Sequence, residues 1–329
     1  MRIKNNFGMK KGLNNNHPYL NILIMRKDVL SILDVEDEIE DIINLGIKLK
    51  RDFKEGKKLN YLREKTLAMI FERESTRTRV SFEVAMTLLG GHAIYLNRRD
   101  IKIGERESAE DTAQVLSRYV DAIMYRSLNK RNLYDLAEHA AVPVINGLDE
   151  DEHPCQILAD LMSIKEKKGR LDGLKFVFIG DGDDNLTHSY LLGCVAVGMN
   201  ICIVSPKKYW PKKYFIEKTL DIANKKNLDV ILTEDVNAVK EADVIATDTW
   251  VSLWYENERE RRIRDFHGYT VTTEVMNLAK KDAIFLHCMP VHYGEEATRE
   301  VVHGPQSIII DEAENRLWAE MALLIKLLR

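Results

Sequence analysis

The sequence predicts an α/β fold of two domains, each a parallel β-sheet flanked by helices, bridged by a long central helix and by the C-terminal helix. Short apolar runs alternate with helical patterns along most of the chain, as in parallel sheets that helices cover on both faces. The alternation forms two series, on either side of one long helical stretch. A chain of 329 residues is also long enough for two domains.

The first series starts with the amphipathic pattern VEDEIEDIINLGIKLKRDFK. Val80, Val84 and Leu88 follow at helical spacing, and they predict a helix with these residues on its apolar face that ends at Gly90. A further helix is predicted for SAEDTAQVLSRYV. The predicted strands of this series are KTLAMIF, HAIYL, DAIMYR and AVPVING.

The second series follows the long helix HPCQILADLMSIKEKKG, which has Pro154 near its start and Gly169 at its end. Its predicted strands are LKFVFIGDG, NICIVSP, LDVILTE, DVIATDTW, AIFLHCMP and SIIID, and the helix EAENRLWAEMALLIKLLR closes the chain. We therefore predict a first domain at 28–150, a second at 151–311 that includes the bridging helix 151–169, and a C-terminal helix at 312–329 that packs back on the first domain.

The composition argues against several classes of protein. The net charge of −4 provides no basic surface for nucleic acid, and no apolar run reaches the roughly 18–20 residues that cross a membrane. The four cysteines show no C-x-x-C spacing, which favours reduced thiols in a cytoplasmic protein. Residues 1–27 lack Asp and Glu, and we expect a poorly ordered tail there, or an upstream start codon ahead of Met25.

The most informative segment is FERESTRTRVSFE, a basic and hydroxyl-rich stretch where a predicted strand passes into a predicted helix. A helix N-terminus offers an anion unpaired N–H groups and the positive end of the helix dipole. Ser75, Thr76 and Thr78 add hydroxyl donors, and the Arg77 guanidinium matches a phosphate group. The alternative is a serine N-cap followed by solvated basic residues, and this stretch alone does not decide between the two.

Other reactive side chains also follow predicted strands or open predicted helices, where ligands bind in open parallel sheets. Each has an ordinary alternative: a surface arginine, a capped histidine, an aspartate in a turn or an inert buried thiol. Their joint placement in both halves of the chain favours a functional site. These candidates are Arg126, His153, Gln156, Asp160, Asp248, Ser252, Cys288, Met289 and Arg316.

Two cofactor hypotheses are weaker. GDGDDN follows a strand and opens a helix as a dinucleotide-binding fingerprint does, but it lacks the third glycine, and no acidic residue ends the next strand. His287 and His292 suggest a metal site, but no third ligand is spaced plausibly along the sequence. We therefore expect neither a cofactor nor a metal.

Together these segments resemble the aspartate/ornithine carbamoyltransferase family, over nearly the whole chain from about Val29. STRTR and HPxQ are specific for the family, whereas DTWVS, HCMP and EAENR resemble its ornithine branch rather than its aspartate branch. The segments that carry the resemblance are FERESTRTRVSFE, IKIGERESAEDTAQVLSRYVDAI, HPCQILADL, GDGDDNLTHS, DTWVSLW, LHCMP and EAENR.

The resemblance implies an enzyme that transfers the carbamoyl group of carbamoyl phosphate to the δ-amine of L-ornithine, giving L-citrulline and phosphate without a covalent intermediate. It implies a homotrimer or a multiple of trimers. Carbamoyl phosphate is expected to contact Ser75, Thr76, Arg77, Thr78, Arg126, His153, Gln156, Cys288, Met289 and Arg316, of which Arg126, His153, Cys288 and Arg316 are the implied catalytic residues. Ornithine is expected to contact Asn185, Asp248, Ser252 and the backbone of Leu253.

Three positions depart from the pattern of the family. Lys102 stands where the family usually has Gln or His, on a loop thought to reach the active site of a neighbouring subunit. SLW, which ends at Trp254, replaces the usual SMG beside the amino-acid pocket. GDGDDN is one residue longer than the usual motif, and we align Asn185 rather than Asp184 with its second asparagine.

Alternative functions stay open at this point. The nearest is the same reaction on N-acetylornithine, putrescine or aspartate; Asp248 argues for an amine that carries a free α-ammonium group. A catalytically silent binding protein is another, although the reactive residues are all present. An NAD-dependent dehydrogenase is the most distant.

Overall fold

The computed structural model describes residues 27–252 and 254–329. The predicted tail, apart from Lys27, and Leu253 lie outside the described residues.

The first half of the chain is built on a four-stranded parallel sheet with the strand order β2-β1-β3-β4. Its strands are β1 (Thr66–Phe71), β2 (His92–Asn97), β3 (Ala122–Arg126) and β4 (Val144–Leu148). Alternate residues of β1 enter two different cores: Leu67 and Met69 face one, Ala68 and Ile70 the other. Because both faces of the sheet are covered, this strand is a continuous apolar run.

The second half is built on a five-stranded parallel sheet with the strand order β7-β6-β5-β8-β9. Its strands are β5 (Lys175–Ile179), β6 (Asn200–Val204), β7 (Val230–Thr233), β8 (Val244–Ala246) and β9 (Ile284–Leu286). The predicted fold class is therefore confirmed, since both sheets are parallel and both are flanked by helices.

Helices cover both sheets and join the two halves. They are α1 (Ile39–Lys54), α2 (Thr76–Leu88), α3 (Ala109–Leu116), α4 (Lys130–His139), α5 (Pro154–Lys168), α6 (Asn185–Ala196), α7 (Lys213–Lys226), α8 (Arg259–Asp265), α9 (Thr273–Leu278), α10 (Arg299–Val302) and α11 (Ile309–Leu328). The bridging helix α5 packs against α1 and α6, and α11 packs against α1, α2 and α5. No helix in the described part of the chain combines the length and apolar character needed to cross a membrane.

The predicted strand SIIID is wrong. Only Ser307 makes a bridge to a strand, at Phe285, and the chain enters α11 at Ile309. A short apolar run rich in β-branched residues does not distinguish a strand from a buried helix start by its periodicity. Here Ile309 is buried while Ile310 is 70% exposed.

The predicted apolar face of α2 is also wrong. Val80 and Val84 are 51% and 38% exposed, whereas Phe82, Ala85 and Met86 of the same helix are buried. These three follow the spacing i, i+3, i+4, which defines one helix face just as well. The valines instead lie on the outer surface of the first half.

The strand order explains where a ligand binds. In the first sheet, successive strands are added on one side of β1 and then on the other, so the strand order reverses between β1 and β3. In the second sheet it reverses between β5 and β8. In open parallel sheets, the crevice at the carboxyl ends of such strands is the usual ligand site. The segments that follow these four strands are 72–79, 126–128, 180–185 and 247–252, which include most of the residues singled out in the sequence.

The packing of α6 on α5 gives a test of this fold. A Cβ atom on Gly193 would lie 2.5 Å from Cγ2 of Ile157. Helix propensity alone would make Gly193→Ala stabilising by roughly 0.5–1 kcal/mol. We expect it to be destabilising by about 1–3 kcal/mol, because overpacking prevails at this contact.

Urea unfolding of the full chain would measure this change, with Asn224→Ala on the exposed surface of α7 as the control. The control should be neutral or slightly stabilising. A stabilising effect of Gly193→Ala would show that the two helices are further apart than described.

Candidate active site

A cavity of about 300 Å³ lies at the carboxyl ends of both sheets. Its lining comes from both halves of the chain: Ser75, Arg77, Thr78, Arg126, Leu148, His153, Gln156, Asp184, Asn185, Leu186, Asp248, Thr249, Val251, Ser252, Trp254, Glu256, Cys288, Met289, Pro290, His292 and Arg316. This volume is at the small end of the range for ligand sites, which suits small metabolites.

The N-terminus of α2 forms one wall of the cavity. Ser75 is the N-cap residue and has extended backbone angles, but its hydroxyl makes no capping hydrogen bond within the described residues. The hydroxyl of Thr78 accepts hydrogen bonds from Arg316 Nη2 (3.2 Å) and Arg126 Nη1 (3.5 Å). Arg77 donates to the carbonyl of Met289 in the second half. Three guanidinium groups therefore meet at one helix N-terminus, where an anion is favoured.

The charges of these arginines are balanced unequally. Burial lowers the pKa of Arg316, but Glu320, whose carboxylate lies 2.7 Å away, and further acidic groups such as Asp160 together raise it above its usual value. Burial, together with the neighbouring Arg316, lowers the pKa of Arg126 to about 10. Nε of Arg126 is buried without a hydrogen-bond partner among the described residues. An anion in the cavity would supply the missing acceptor.

His153 and Gln156 enter the cavity from the start of α5. The backbone N–H of His153 donates to Ser189 Oγ (2.8 Å), and its buried Nδ1 has no partner among the described residues. Burial and the neighbouring arginines hold the pKa of His153 well below its usual range, so the imidazole is neutral at physiological pH. The amide oxygen of Gln156 accepts from Arg316 Nη1 (2.7 Å).

A buried carboxyl pair supports this arrangement from behind. Gln156 Nε2 donates to Asp160 (2.8 Å) and to Glu312 (3.1 Å), and Glu312 also accepts from the backbone of His287 (2.9 Å). Burial raises the pKa of Asp160 to about 6, and burial together with Asp160 raises that of Glu312 well above its usual value. Burial therefore favours the protonated form of both carboxyl groups, and their hydrogen bonds link α5 to α11 and to the residue after β9.

The opposite end of the cavity is acidic. Asp248 follows β8, and its carboxylate accepts from the backbone of Thr249 (2.7 Å) and from the thiol of Cys288 (3.2 Å). Burial raises the pKa of Asp248, and burial together with Asp248 raises the pKa of Asp184. The buried hydroxyl of Ser252 has no partner in the described part of the chain. A bound ammonium group would satisfy both carboxylates.

Cys288 is a thiol rather than a thiolate. Burial and the neighbouring Asp248 raise its pKa well above the usual value. Since the thiolate is the nucleophilic form of cysteine, Cys288 is suited to donating a hydrogen bond and not to forming a covalent intermediate.

Most of the residues predicted from the sequence line this cavity, but Thr76, Lys102 and Asp160 do not. Thr76 is exposed and faces a neighbouring groove together with Arg79, Tyr95 and Arg98. Lys102 is exposed, and within the described ranges it does not reach the cavity of its own chain. Leu253 lies outside the described residues. Asp160 lies behind the cavity lining, hydrogen bonded to Gln156.

Sequence reasoning missed several lining residues, chiefly Asp184, Thr249, Trp254, Glu256 and His292. Asp184 and Trp254 fall at positions where the sequence departs from the family pattern. These departures could have identified the two residues as part of the site. His292 was noted in the sequence only as a candidate metal ligand, and for Glu256 the sequence offers no signal, because its contribution depends on how two distant loops meet.

The structure also alters the reasoning about cofactors. Glu296, which the sequence argument did not include, lies 3.1 Å from His287 Nε2 and 3.7 Å from His292 Nδ1, so a carboxylate stands beside both histidines. Donor atoms of His292, Glu295 and Glu296 lie within 4.8 Å of one another, as do those of Asp248, His287 and Cys288.

The glycines of GDGDDN have a packing role that requires no dinucleotide. A Cβ atom on Gly182 would lie 2.5 Å from the carbonyl oxygen of Tyr209 and 3.1 Å from Cδ of Pro211. Any larger residue would therefore push these segments apart. The strand–glycine–helix pattern is explained by this close approach.

Nε of Arg126, which has no hydrogen-bond acceptor among the described residues, allows a test with inorganic phosphate. Phosphate should raise the melting temperature of the protein, by the equivalent of about 2.7 kcal/mol at a hundredfold excess over its dissociation constant. In Arg126→Met this shift should be lost, while the ligand-free protein should be at least as stable because a buried, poorly paired charge is removed.

Thermal unfolding with and without phosphate would measure both effects. Arg131→Met, at an exposed position of α4, is the matched control and should keep the phosphate shift. If Arg126→Met kept the shift as well, the unsatisfied donor of Arg126 would not contribute to the anion site.

Comparisons with known proteins agree with this geometry. Residues 27–166 match the profile "Aspartate/ornithine carbamoyltransferase, carbamoyl-P binding domain", and residues 172–327 match "Aspartate/ornithine carbamoyltransferase, Asp/Orn binding domain". A Thermoplasma volcanium protein named "Ornithine carbamoyltransferase, catabolic" is 45% identical over 304 residues, covering 92% of this chain and 99% of that relative.

Solved structures agree as well. Ornithine carbamoyltransferase from Pyrococcus furiosus superposes with a TM-score of 0.88 at 45% identity, over 92% of this chain and 97% of that one. The anabolic ornithine carbamoyltransferase from Campylobacter jejuni gives a TM-score of 0.85 at 40% identity, over 92% and 98% of the two chains. The chain described here belongs to the aspartate/ornithine carbamoyltransferase family.

Proposed function

We propose that this protein transfers the carbamoyl group of carbamoyl phosphate to the δ-amine of L-ornithine, forming L-citrulline and phosphate. The observation that carries the proposal is one cavity with a guanidinium cluster at one end and a carboxylate pair at the other. These ends match a phosphorylated substrate and an amine with a free α-ammonium group. The names of the relatives support the same pair of substrates.

In this proposal the anion occupies the N-terminus of α2. Ser75, Arg77 and Thr78 hold its phosphate, with the backbone of Thr76 contributing from the first turn. Arg126, His153 and Arg316 donate hydrogen bonds to the carbamoyl carbonyl, while Gln156, Cys288 and Met289 complete the walls around it. A neutral His153 donates without adding a fourth positive charge to the cluster.

Ornithine occupies the acidic end. Asp248 and Ser252 bind its α-amino group, and Asn185 binds its carboxylate; the backbone of Leu253 is assigned the same end by resemblance. The free δ-amine has a pKa near that of lysine, about 10.4, and must lose a proton before it attacks. Proximity to the guanidinium cluster favours the neutral amine.

The neutral amine then attacks the carbonyl carbon and forms a C–N bond. The tetrahedral oxyanion is stabilised by Arg126, His153 and Arg316, each donor contributing about 3 kcal/mol to the transition state as in other oxyanion holes. The C–O bond to phosphate breaks, and the proton leaving the nitrogen passes to the departing group, giving hydrogen phosphate. The buried thiol of Cys288 takes no covalent part.

We further propose a cytoplasmic homotrimer, or a multiple of trimers. The free cysteines, three of them buried, suit a reducing compartment. Val80, Val84 and Tyr119 are large apolar side chains exposed in the first half, as expected of a surface that another subunit covers. Relatives named catabolic and anabolic match at comparable identity.

The amine specificity is tested with purified protein, carbamoyl phosphate and four amines: ornithine, N-acetylornithine, putrescine and aspartate. Each carbamoylated product is followed separately. We expect turnover with ornithine and little with the others. Absence of turnover with every amine, in a protein that still binds carbamoyl phosphate, would favour the silent binding protein instead.

Asp248→Asn tests the acidic end. It should raise the KM for ornithine about 100-fold, since a charge-assisted contact of about 3 kcal/mol is lost, and leave the binding of carbamoyl phosphate intact. Asp221→Asn, on the exposed surface of α7, is the control and should behave as the unmodified protein. An unchanged KM in Asp248→Asn would remove Asp248 from the ornithine site.

Hybrid trimers test the proposed contribution of Lys102 to a neighbouring site. We expect Lys102→Ala and Arg126→Met each to be nearly inactive. Mixed and reassembled one to one, they should recover about a quarter of full activity, because some sites then combine an intact Arg126 with an intact Lys102 from the neighbour.

A mixture of Arg126→Met with His153→Ala is the control, since both changes affect the cavity of one chain, and it should stay inactive. Equal recovery in both mixtures, or none in either, would contradict a role for Lys102 across the interface.

A further inference from the structure

Residues 254–256 contact the first half of the chain from the second. Trp254 Nε1 donates a hydrogen bond to the carbonyl oxygen of Leu128, at 3.2 Å. Glu256 pairs with Arg73, at 2.5 Å. Leu128 and Arg73 lie in the loops that follow β3 and β1, so both contacts bridge the cleft that contains the cavity.

The two contacts differ in how much they contribute to the stability of this arrangement. Glu256 and Arg73 form their ion pair on the surface, with side chains 63% and 38% exposed, and such pairs contribute little to stability. Trp254 is half-buried, and its indole lines the cavity that also contains Ser252 and Asp248. Its N–H needs a partner when desolvated, and the Leu128 carbonyl supplies one. The indole is therefore the part of this segment that is fixed in position.

We propose that Trp254 determines which amines this enzyme accepts, as a rigid wall that excludes substrates enlarged at the α-nitrogen. This inference rests on the proposed binding of ornithine at Ser252 and Asp248. Trp254 lines the same cavity of about 300 Å³ as Asp248 and Ser252, so an indole fixed across the cleft narrows the space for an acyl group added to the α-nitrogen. Trp254 acts as a positioning and specificity residue and takes no part in the chemical step.

Trp254 and Asp248 then reject an Nα-acylated amine for different reasons. Acylation removes the positive charge that Asp248 pairs with, and a buried carboxylate left unpaired disfavours binding. The indole rejects the same molecule by its size. Removal of the indole alone should therefore raise activity on the acylated amine without making it the preferred substrate.

The test compares Trp254→Ala with Trp254→Phe in the full-length protein at saturating carbamoyl phosphate. The measured quantity is the ratio of kcat/KM for ornithine to kcat/KM for Nα-acetylornithine. In Trp254→Ala this ratio should fall about tenfold or more, the usual effect of reshaping an apolar wall. The KM for ornithine should rise while kcat changes little.

Trp254→Phe keeps a ring in the cavity but loses the donor to Leu128. It should preserve most of the selectivity and raise the KM for ornithine only about threefold, the effect of one hydrogen bond. If Trp254→Ala folded poorly, this variant would still test the contact: retained selectivity with a raised KM for ornithine would support the fixed wall, whereas a selectivity as low as that expected for the alanine variant would contradict it, because the ring would still be present. Selectivity and KM both unchanged in Trp254→Phe would overturn it.

Trp210→Ala is the matched control. Trp210 makes the same kind of hydrogen bond, from Nε1 to the carbonyl of Ser205 at 3.2 Å, and within the described ranges it does not line the cavity. The ratio should stay unchanged in this variant. An equal fall in both tryptophan variants, or a loss of kcat without a change in the ratio, would mean a structural role only. Turnover of ornithine by the unmodified protein tests the proposed function separately, because it does not depend on Trp254.

Discussion

The site depends on bringing three guanidinium groups together in a largely buried space. Arg77, Arg126 and Arg316 come from α2, from the end of β3 and from α11, so their meeting requires the whole first half to be folded around the C-terminal helix. Glu320 neutralises Arg316, but Arg126 keeps an unsatisfied donor among the described residues. Such an arrangement is unfavourable without a ligand and favourable with an anion, which is how preorganised electrostatic sites act.

The acidic groups at the far end of the cavity, opposite the guanidinium cluster, determine the orientation in which a substrate binds. Burial raises the pKa of both Asp184 and Asp248, and the neighbouring Asp248 raises that of Asp184 further. A bound cation stabilises the ionised forms of these carboxyl groups, as a bound anion stabilises the charged form of Arg126. A substrate with an ammonium group at one end and an amine at the other is thereby oriented with the amine towards the guanidinium cluster. Orientation of this kind accounts for a large share of the rate in two-substrate reactions.

The sequence predicted the parts of this site that follow from local rules. Strand ends, helix starts and the motifs at them are local, and parallel topology brings the carboxyl ends of strands to one edge. This is why Arg126 and Asp248, far apart in the chain, were both identified. The errors have physical causes too: Val80 satisfies the helical period on the wrong face. The contact of Trp254 with Leu128 depends on how two domains meet, which no local pattern encodes.

The same contacts explain why binding and domain arrangement are coupled. Arg77 reaches Met289 and Trp254 reaches Leu128, so loops of each half hold the other across the cleft. Behind them the helices α5 and α11 form a support, since the carboxyl pair that joins them is buried and hydrogen bonded to Gln156. A change in the angle between the halves must therefore break the loop contacts before the helix contacts. A pair of substrates that bridges the two ends of the cavity adds contacts between the loops of the two halves. It therefore stabilises the arrangement in which the reacting atoms meet.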